Sequence, residues 1–466
     1  MTSDPALPAA GARVLIHGLG RFGGGREATR HLRRLGCEVT VADGSDDDIL
    51  REVVATFGDP GVDWQLGRED ASLLDNVDLV VTSPAVPDHH PLLQEARRRG
   101  LPTTQECELF LAAYPGKVIG VTGTNGKSST ATLLHRALVR AGADALLGGN
   151  IGHSLLADHA RWRSDQVAVL ELSSFQLERL STARSLHGAV FTRLGSDHLD
   201  RHNTLERYHA AKGRLAAAAR AFVIHAADDQ VAAQFATSAP QRGRYSLTTP
   251  KPCSAGLAGG FIQVRPDAGA AQNLVHRDAL RLLGDFQLEN VMASSLAAAW
   301  LEASLDDVGV AMATAKPLEF RLQHLTTIAG VHIYDNGVST EVASTRLALQ
   351  ALADRGQRLH WLGGGKSKDG DYAQVAQAVA AHAATAHIFG AAAEPFTAAM
   401  GNKIPTTSNH RLAAALVAAL QNAAPGDALL FSPAFASFDQ YPNFRARGEE
   451  FHRLLRERRA TDAARG

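Results

Sequence analysis

The stretch Val118-Ile-Gly-Val-Thr-Gly-Thr-Asn-Gly-Lys-Ser-Ser129 decides the fold. An apolar run ends in a glycine-rich turn, and from about Ser129 to Ala141 the spacing becomes helical, so the segment reads as strand, loop and helix. The backbone N–H groups of Gly123-Thr-Asn-Gly126 can surround phosphate oxygens. Lys127 and the helix N-terminus add positive potential, and Ser128 can ligate Mg²⁺. The position where a full triphosphate-loop pattern carries its first glycine is Val121, so the reading rests on the strand-loop-helix setting.

Downstream, Val167-Ala-Val-Leu170 is a buried strand ending at Glu171, where a carboxylate can act as a hard oxygen ligand for Mg²⁺ beside the phosphates. His198, in Ser196-Asp-His-Leu-Asp-Arg-His202, taken alone is a surface histidine, and Lys212, in Tyr208-His-Ala-Ala-Lys-Gly213, taken alone is a solvated lysine on a helix. Upstream, Val14-Leu-Ile16, a glycine-rich turn, a helix to Leu35 and Glu38-Val-Thr-Val41 form a strand-helix-strand unit, with a third strand at Val77-Asp-Leu-Val-Val81. Its turn, Gly18-x-Gly20-x-x-Gly23 with Asp43 further on, has the form of a dinucleotide site. It admits a nicotinamide or flavin dinucleotide, a UDP-sugar, or a tight turn without a ligand. Beyond an alanine-rich helix from about Asn290 to Leu301, new strands begin at Val331-His-Ile-Tyr334, Leu359-His-Trp-Leu362, His387-Ile-Phe389 and Ala428-Leu-Leu-Phe431. The pattern predicts an α/β protein of three domains over residues 1–115, 116–317 and 318–466. The outer two are Rossmann-like and the central one is a mostly parallel sheet bearing the phosphate loop.

A net charge of -1 leaves no global basic field for nucleic acid or a membrane surface, so an anionic ligand must be held by local groups. The three cysteines, Cys37, Cys107 and Cys253, form no CxxC pair, which suits a reducing cytoplasm. No signal peptide and no run of about 18 apolar residues is present, so a cytoplasmic protein without membrane insertion is expected.

Seven segments, in one order, carry a family resemblance: Thr122-Gly-Thr-Asn-Gly-Lys-Ser128, Gly148-Gly-Asn-Ile-Gly152, Leu170-Glu-Leu-Ser-Ser-Phe-Gln-Leu-Glu178, Asp197-His-Leu-Asp-Arg201, Tyr208-x-x-x-Lys212, Phe320-Arg321 and Ser432-Pro-Ala-Phe-Ala-Ser-Phe-Asp439. Together they resemble the Mur ligases of peptidoglycan synthesis, in the branch that adds glutamate, over nearly the whole chain from about Arg13 to Leu455. The resemblance implies an ATP-dependent ligase that activates the carboxylate of UDP-N-acetylmuramoyl-L-alanine as an acyl phosphate and couples it to glutamate. It places ATP against Gly123, Thr124, Asn125, Gly126, Lys127, Ser128, Ser129, Asn290 and Arg321. It favours UDP over a nicotinamide at the first turn, with the substrate held by Gly18, Gly20, Arg21, Phe22, Asp43, Ser83, Asn150, Ser173 and Gln176. Catalysis falls to Lys127, Glu171, His198 and Lys212. Two Mg²⁺ sites draw on Ser128, Glu171, His198 and Lys212, the last as a CO₂-derived carbamate, which turns a cation into a metal-binding anion. A monomer is expected.

Two positions depart from the family. Where D-glutamate-adding members carry Asn-Asp-Ser-Lys-Ala-Thr-Asn, this chain has Asp335-Asn-Gly-Val-Ser-Thr-Glu341, so Val338 replaces the lysine that pairs with the glutamate carboxylate. Thr340, Ser437 and Phe444 match the remaining glutamate-contacting positions. With the unusual turn Gly18-Leu-Gly-Arg-Phe-Gly-Gly-Gly25, this points to a variant that adds L-glutamate and leaves inversion to a downstream glutamate epimerase, the alternative being ordinary D-glutamate addition. The second departure is Phe320, where the family's arginine commonly follows a histidine. A non-catalytic nucleotide-binding protein would be suggested if Lys127, Glu171, His198 or Lys212 were missing, and all four are present; a remoter alternative, a nicotinamide-dependent dehydrogenase, rests on Gly18-x-Gly20-x-x-Gly23 and Asp43.

Overall fold

The computed structural model describes residues 7–20, 23–181, 184–248, 254–267, 269–367 and 370–463, with side chains to residue 460. The chain forms two compact units, one of residues 1–277 and 289–313, the other of residues 278–288 and 314–466.

The first unit holds two sheets. The first contains β1 (Arg13–His17), α1 (Gly24–Arg34), β2 (Glu38–Asp43), α2 (Asp48–Ala55), β3 (Val62–Leu66), β4 (Leu79–Thr82), α3 (Pro91–Arg98), β5 (Thr103–Thr104) and α4 (Glu106–Ala113). Its strands are all parallel in the order β3-β2-β1-β4-β5. Parallel strands buried on both faces read as unbroken apolar runs, as in Leu79-Val-Val-Thr82, which is buried throughout. One strand differs from the sequence expectation. β3 is only partly buried, and its polar Asp63 and Gln65 hid the strand from an apolar-run reading, so the expected third strand is the fourth.

The second sheet is built from β6 (Lys117–Thr122), α5 (Lys127–Arg140), β7 (Ala145–Gly149), β8 (Val167–Glu171), α6 (Ser174–Glu178), β9 (Leu186–Phe191), α7 (Leu199–His202), α8 (Leu205–Ala218), β10 (Ala219–Ala226), α9 (Gln230–Phe235) and β11 (Gln241–Ser246). A meander of β12 (Ala255–Ala258), β13 (Phe261–Val264) and β14 (Gln272–His276) extends it, antiparallel at its outer two pairings. Its order is β14-β13-β12-β11-β10-β9-β6-β8-β7, which puts β6, the strand feeding the phosphate loop, between β9 and β8. α10 (Asp285–Trp300) and α11 (Leu305–Ala313) follow. The core runs on past Tyr114, because Phe110 in α4 and Tyr114 just after it stack on each other at 4.8 Å and meet the Trp162 ring of the second sheet's segment at 5.4 and 5.7 Å. Shared aromatic burial of this kind joins two sheets into one compact body.

The second unit holds β15 (Gln323–Ile328), β16 (Val331–Asp335), α12 (Val342–Ala353), β17 (Leu359–Gly364), α13 (Tyr372–His382), β18 (Thr385–Phe389), α14 (Ala393–Met400), β19 (Thr406–Asn409), α15 (Leu412–Asn422), β20 (Ala428–Ala434) and α16 (Phe444–Ala463). Its order is β15-β16-β20-β17-β18-β19, antiparallel only at β15-β16, with apolar layers on both faces. Among the described residues no helix is long and apolar enough to cross a membrane.

Candidate active site

The loop between β6 and α5 is shaped by two glycines. Gly126, the N-cap of α5, has φ 87°, a left-handed conformation that costs glycine least, and an added Cβ there would lie 2.4 Å from Asn290 Oδ1. An added Cβ on Gly123 would lie 1.7 Å from Thr192 Oγ1. Thr192 ties the loop down by donating to Asn125 O at 2.5 Å, and Thr130 Oγ1 donates to Asn290 Oδ1 at 3.1 Å. The helix starts at Lys127, two residues before its expected start, so Ser128 and Ser129, both buried, lie in its first turn. Lys127 Nζ donates to Gly123 O at 3.1 Å and Thr124 O at 2.7 Å.

Lys212 comes to this loop from α8. Its side chain is 1 % exposed, its Nζ donates to Gly123 O at 2.7 Å and lies 4.7 Å from the Tyr208 ring centroid. Burial drives the amine well below the ordinary lysine range, and the Lys127 charge pushes it the same way, against Asp197 and Glu171, which favour the cation. Tyr208, one helical turn before Lys212, shares a hydrogen bond with Thr124 Oγ1 at 3.1 Å. Tyr208 and Thr192 were not singled out in the sequence as site residues. The i, i+4 spacing of Tyr208 and Lys212 was the available signal for the first; Thr192 has none.

Glu171, 2 % exposed, stands at the end of β8. Its Oε1 accepts from Asn150 Nδ2 at 2.9 Å, while its Oε2 is buried without a hydrogen-bond partner. A buried carboxylate oxygen with no donor is costly unless a cation or ligand meets it. Gly123, Thr124, Asn125, Gly126, Lys127, Lys212 and Asn290 therefore form one connected cluster, and Asn150 and Glu171 form a pair.

His198 is placed by strain. It caps α7 with φ 51°, left-handed for a non-glycine residue, and its Nε2 is 3.3 Å from Asp197 Oδ2. Its ring lies 4.8 Å from that of Phe175. Ser173 and Gln176 bond reciprocally as the capping box of α6: Gln176 N donates to Ser173 Oγ at 3.2 Å, and Ser173 N donates to Gln176 Oε1 at 2.9 Å.

At the first turn, Gly18 (φ 86°) lies so close to Ser83 that an added Cβ would approach Ser83 Cβ to 2.8 Å, and one on Gly20 would be 3.9 Å from Ser83 Oγ. Asp43 already serves the turn, since Oδ2 accepts from Leu19 N at 2.9 Å and Oδ1 from Ser45 N at 3.0 Å. Arg21 and Phe22 lie outside the described residues. Behind the turn, His17 Nε2 and His90 Nε2 reach the two oxygens of Glu69 at 2.9 and 3.2 Å. His90 Nδ1 accepts from Leu92 N at 3.3 Å, which leaves the ring proton on Nε2. In that tautomer Glu69 accepts an N–H bond from His90.

The other predicted residues belong to the second unit. Phe320 (φ 62°) and Leu322 (φ 47°), both left-handed, flank Arg321. Thr340 is half-buried, Ser437 is buried, and Phe444 opens α16. Val338 is half-buried, its N–H donating to Phe320 O at 3.1 Å. Asp335 accepts from His452 Nε2 at 2.7 Å and Gly337 N at 2.7 Å. The fully buried Arg447 donates to Gly364 O, Phe435 O and Gly337 O.

Three α/β sheets, the central one bearing a glycine loop beside a buried lysine, fit a multidomain enzyme that handles a phosphate-bearing nucleotide. The chain matches the Mur ligase MurD-like N-terminal domain over residues 12–105, the Mur ligase middle domain over 121–298 and the Mur ligase glutamate ligase domain over 320–435. It is 33% identical over 458 residues to a UDP-N-acetylmuramoylalanine--D-glutamate ligase of Acidobacterium capsulatum, covering 97% of this chain and 98% of that protein. Its fold matches those of UDP-N-acetylmuramate-alanine ligase MurC of Thermotoga maritima (TM-score 0.62, 15% identity, 96% and 99% of the two chains) and of MurF ligase of Thermotoga maritima in complex with ADP (TM-score 0.59, 15% identity, 97% and 96%). The chain belongs to the Mur ligase family and is an ATP-dependent ligase.

Proposed function

We propose that the enzyme couples L-glutamate to UDP-N-acetylmuramoyl-L-alanine in peptidoglycan precursor synthesis, acting as a cytoplasmic monomer. The observation that carries the ligase chemistry is the Lys212 amine, buried within hydrogen-bond reach of the loop, where burial lowers its affinity for a proton well below the ordinary lysine range. An uncharged amine is the form that can add CO₂. The orphaned Oε2 of Glu171 fits a divalent cation, which Ser128, Glu171, His198 and carbamylated Lys212 would hold. Two Mg²⁺ ions there would offset the negative charge of the transferring phosphoryl group.

The residues of the chain then have distinct tasks. Gly123, Thr124, Asn125, Gly126, Ser129, Asn290 and Arg321 hold ATP. Gly18, Gly20, Ser83, Asn150, Ser173 and Gln176 hold the sugar-nucleotide, and Asp43 holds the first turn in place for it. The L-alanyl carboxylate oxygen attacks the γ-phosphorus in line, ADP leaves, and Lys127 stabilises the charge on the transferring oxygens. The amine of glutamate, placed by Thr340, Ser437 and Phe444, attacks the acyl phosphate, losing a proton and expelling inorganic phosphate. Phosphate release should require both substrates; release indifferent to them would sink this reading.

We prefer L-glutamate because the 335–341 segment, with Val338 in place of the lysine, and the 18–25 turn depart from the pattern of D-glutamate-adding members, and Arg447, which reaches Gly337 O, is committed to three backbone carbonyls. A missing charged hydrogen bond removes about 1.5–3 kcal/mol from a dicarboxylate held in the family's pose. A separate epimerase would then invert the added residue. The D-glutamate reading is favoured by the name of the relative from Acidobacterium capsulatum. Parallel assays with the two enantiomers decide between them: faster turnover with L-glutamate supports the proposal, and an equal or faster rate with D-glutamate overturns it.

A further inference from the structure

Four consecutive backbone carbonyls, of Ser83, Pro84, Ala85 and Val86, accept from two arginines of the second sheet's segments. Arg179 donates to Ser83 O at 3.2 Å and Val86 O at 2.5 Å, and its Nε reaches Asp88 Oδ1 at 2.9 Å. Arg201 donates to Ala85 O at 3.2 Å, Pro84 O at 3.3 Å and Val86 O at 3.1 Å. Their side chains are only 12% and 11% exposed. Burying two guanidinium groups is costly, and the rigid fork of donors is matched here by backbone acceptors rather than by substrate.

The clasp joins both ends of the proposed sugar-nucleotide site. On one side, the 83–86 turn carries Ser83, against which Gly18 packs. On the other, Arg201 follows His198 by three residues, donates to Glu178 Oε2 at 3.2 Å and lies 5.1 Å from the Phe175 ring, which itself contacts His198. We propose that Arg179 and Arg201 are positioning residues that set the 83–86 turn against His198, so that the sugar-nucleotide's carboxylate is delivered to the phosphate loop. The role rests on the ligase reading; the clasp itself does not.

Two measurements on the full chain separate these. Hydrogen exchange of wild type, Arg201→Ala and Arg179→Ala should show faster exchange confined to the 83–90 segment and the strand β4 leading into it. Unchanged exchange there, or a global rise, overturns the clasp whatever the enzyme catalyses. Steady-state kinetics should show KM for UDP-N-acetylmuramoyl-L-alanine raised about tenfold to hundredfold, with KM for ATP within about twofold, as expected for the loss of two or more charge-assisted bonds. Arg201→Lys, keeping the charge but not the fork, should recover only part of the loss. An unchanged sugar-nucleotide KM, or equal losses for both substrates, overturns the positioning role. A wild-type enzyme inactive on this substrate pair refutes the ligase reading and the positioning role with it, while the exchange data still decide the clasp.

Discussion

Among the described residues, α1 and α5 are capped by glycines of nearly the same conformation: Gly23 has φ 87° and ψ -11°, Gly126 φ 87° and ψ -13°. Their surroundings are opposites. The central turn is backed by a buried amine, Lys212, that burial drives toward the uncharged form. The first is backed by a carboxyl, Glu106 at the start of α4, which burial pushes up to about 7 against the hydrogen bond from Ser154 Oγ. At the first turn Asp43 already accepts from Leu19 N, whereas the central loop's own carbonyl oxygens accept, Asn125 O from the Thr192 hydroxyl and Gly123 O from the Lys212 amine. Two similar glycine caps are thus backed by side chains of opposite chemistry, and under the proposed function these side chains distinguish the two nucleotide sites.

The sharpest way to break this contrast is Lys212→Ala. It should lower turnover by about a thousandfold or more, the scale seen when a transition-state charge contact is removed. A short carboxylic acid should restore part of the activity by standing in for the carbamate. Unchanged turnover in the variant would refute the proposed role. Next in size is Glu106→Gln, read in stability. The carboxyl is near 7 in the folded chain against an ordinary 4.5, so the folded state holds the proton more tightly and loses stability as pH rises from about 4.5 to 7. The variant removes that loss and should unfold in denaturant with about 3 kcal/mol more stability than wild type at pH 8, and with little difference at pH 4.5. A gap independent of pH would show that Glu106 is not the titrating group. Gly126→Ala combines a left-handed φ with the Asn290 contact, so a cost of about 1–2 kcal/mol should appear as a roughly tenfold higher KM for ATP, and an unaltered KM would place ATP elsewhere.

Much of this contrast is legible in the sequence, and the missing part has a physical cause. Strands such as Val118-Ile-Gly-Val121 and Val167-Ala-Val-Leu170 announce themselves because both faces are buried. β3 does not, its outward residues being polar. Glu171 and Lys212 are visible as residue types in familiar surroundings, but a lone lysine on a helix carries no sign that it is 1 % exposed. Burial is a long-range property: residues 117–127 and 186–212 must meet before Lys212 loses its water. The Arg179 and Arg201 clasp was equally hidden, since backbone carbonyls of residues 83–86 leave no mark in the side-chain code.

The smallest test addresses Asp43. A dinucleotide reading gives this carboxylate to a ribose hydroxyl, but both its oxygens are already engaged by N–H groups of its own domain, of Leu19 and Ser45. Asp43→Asn can keep only one oxygen as an acceptor and loses the charge, so one of the two bonds weakens, by about 1 kcal/mol. The consequence is a slightly looser first turn: KM for the sugar-nucleotide should rise about threefold to fivefold, with turnover and KM for ATP unchanged. A rise beyond a hundredfold would mean that Asp43 gives up its backbone partners to grip the ligand directly. In that event the two turns would differ less than their side chains indicate, each meeting its nucleotide with a charged group of its own.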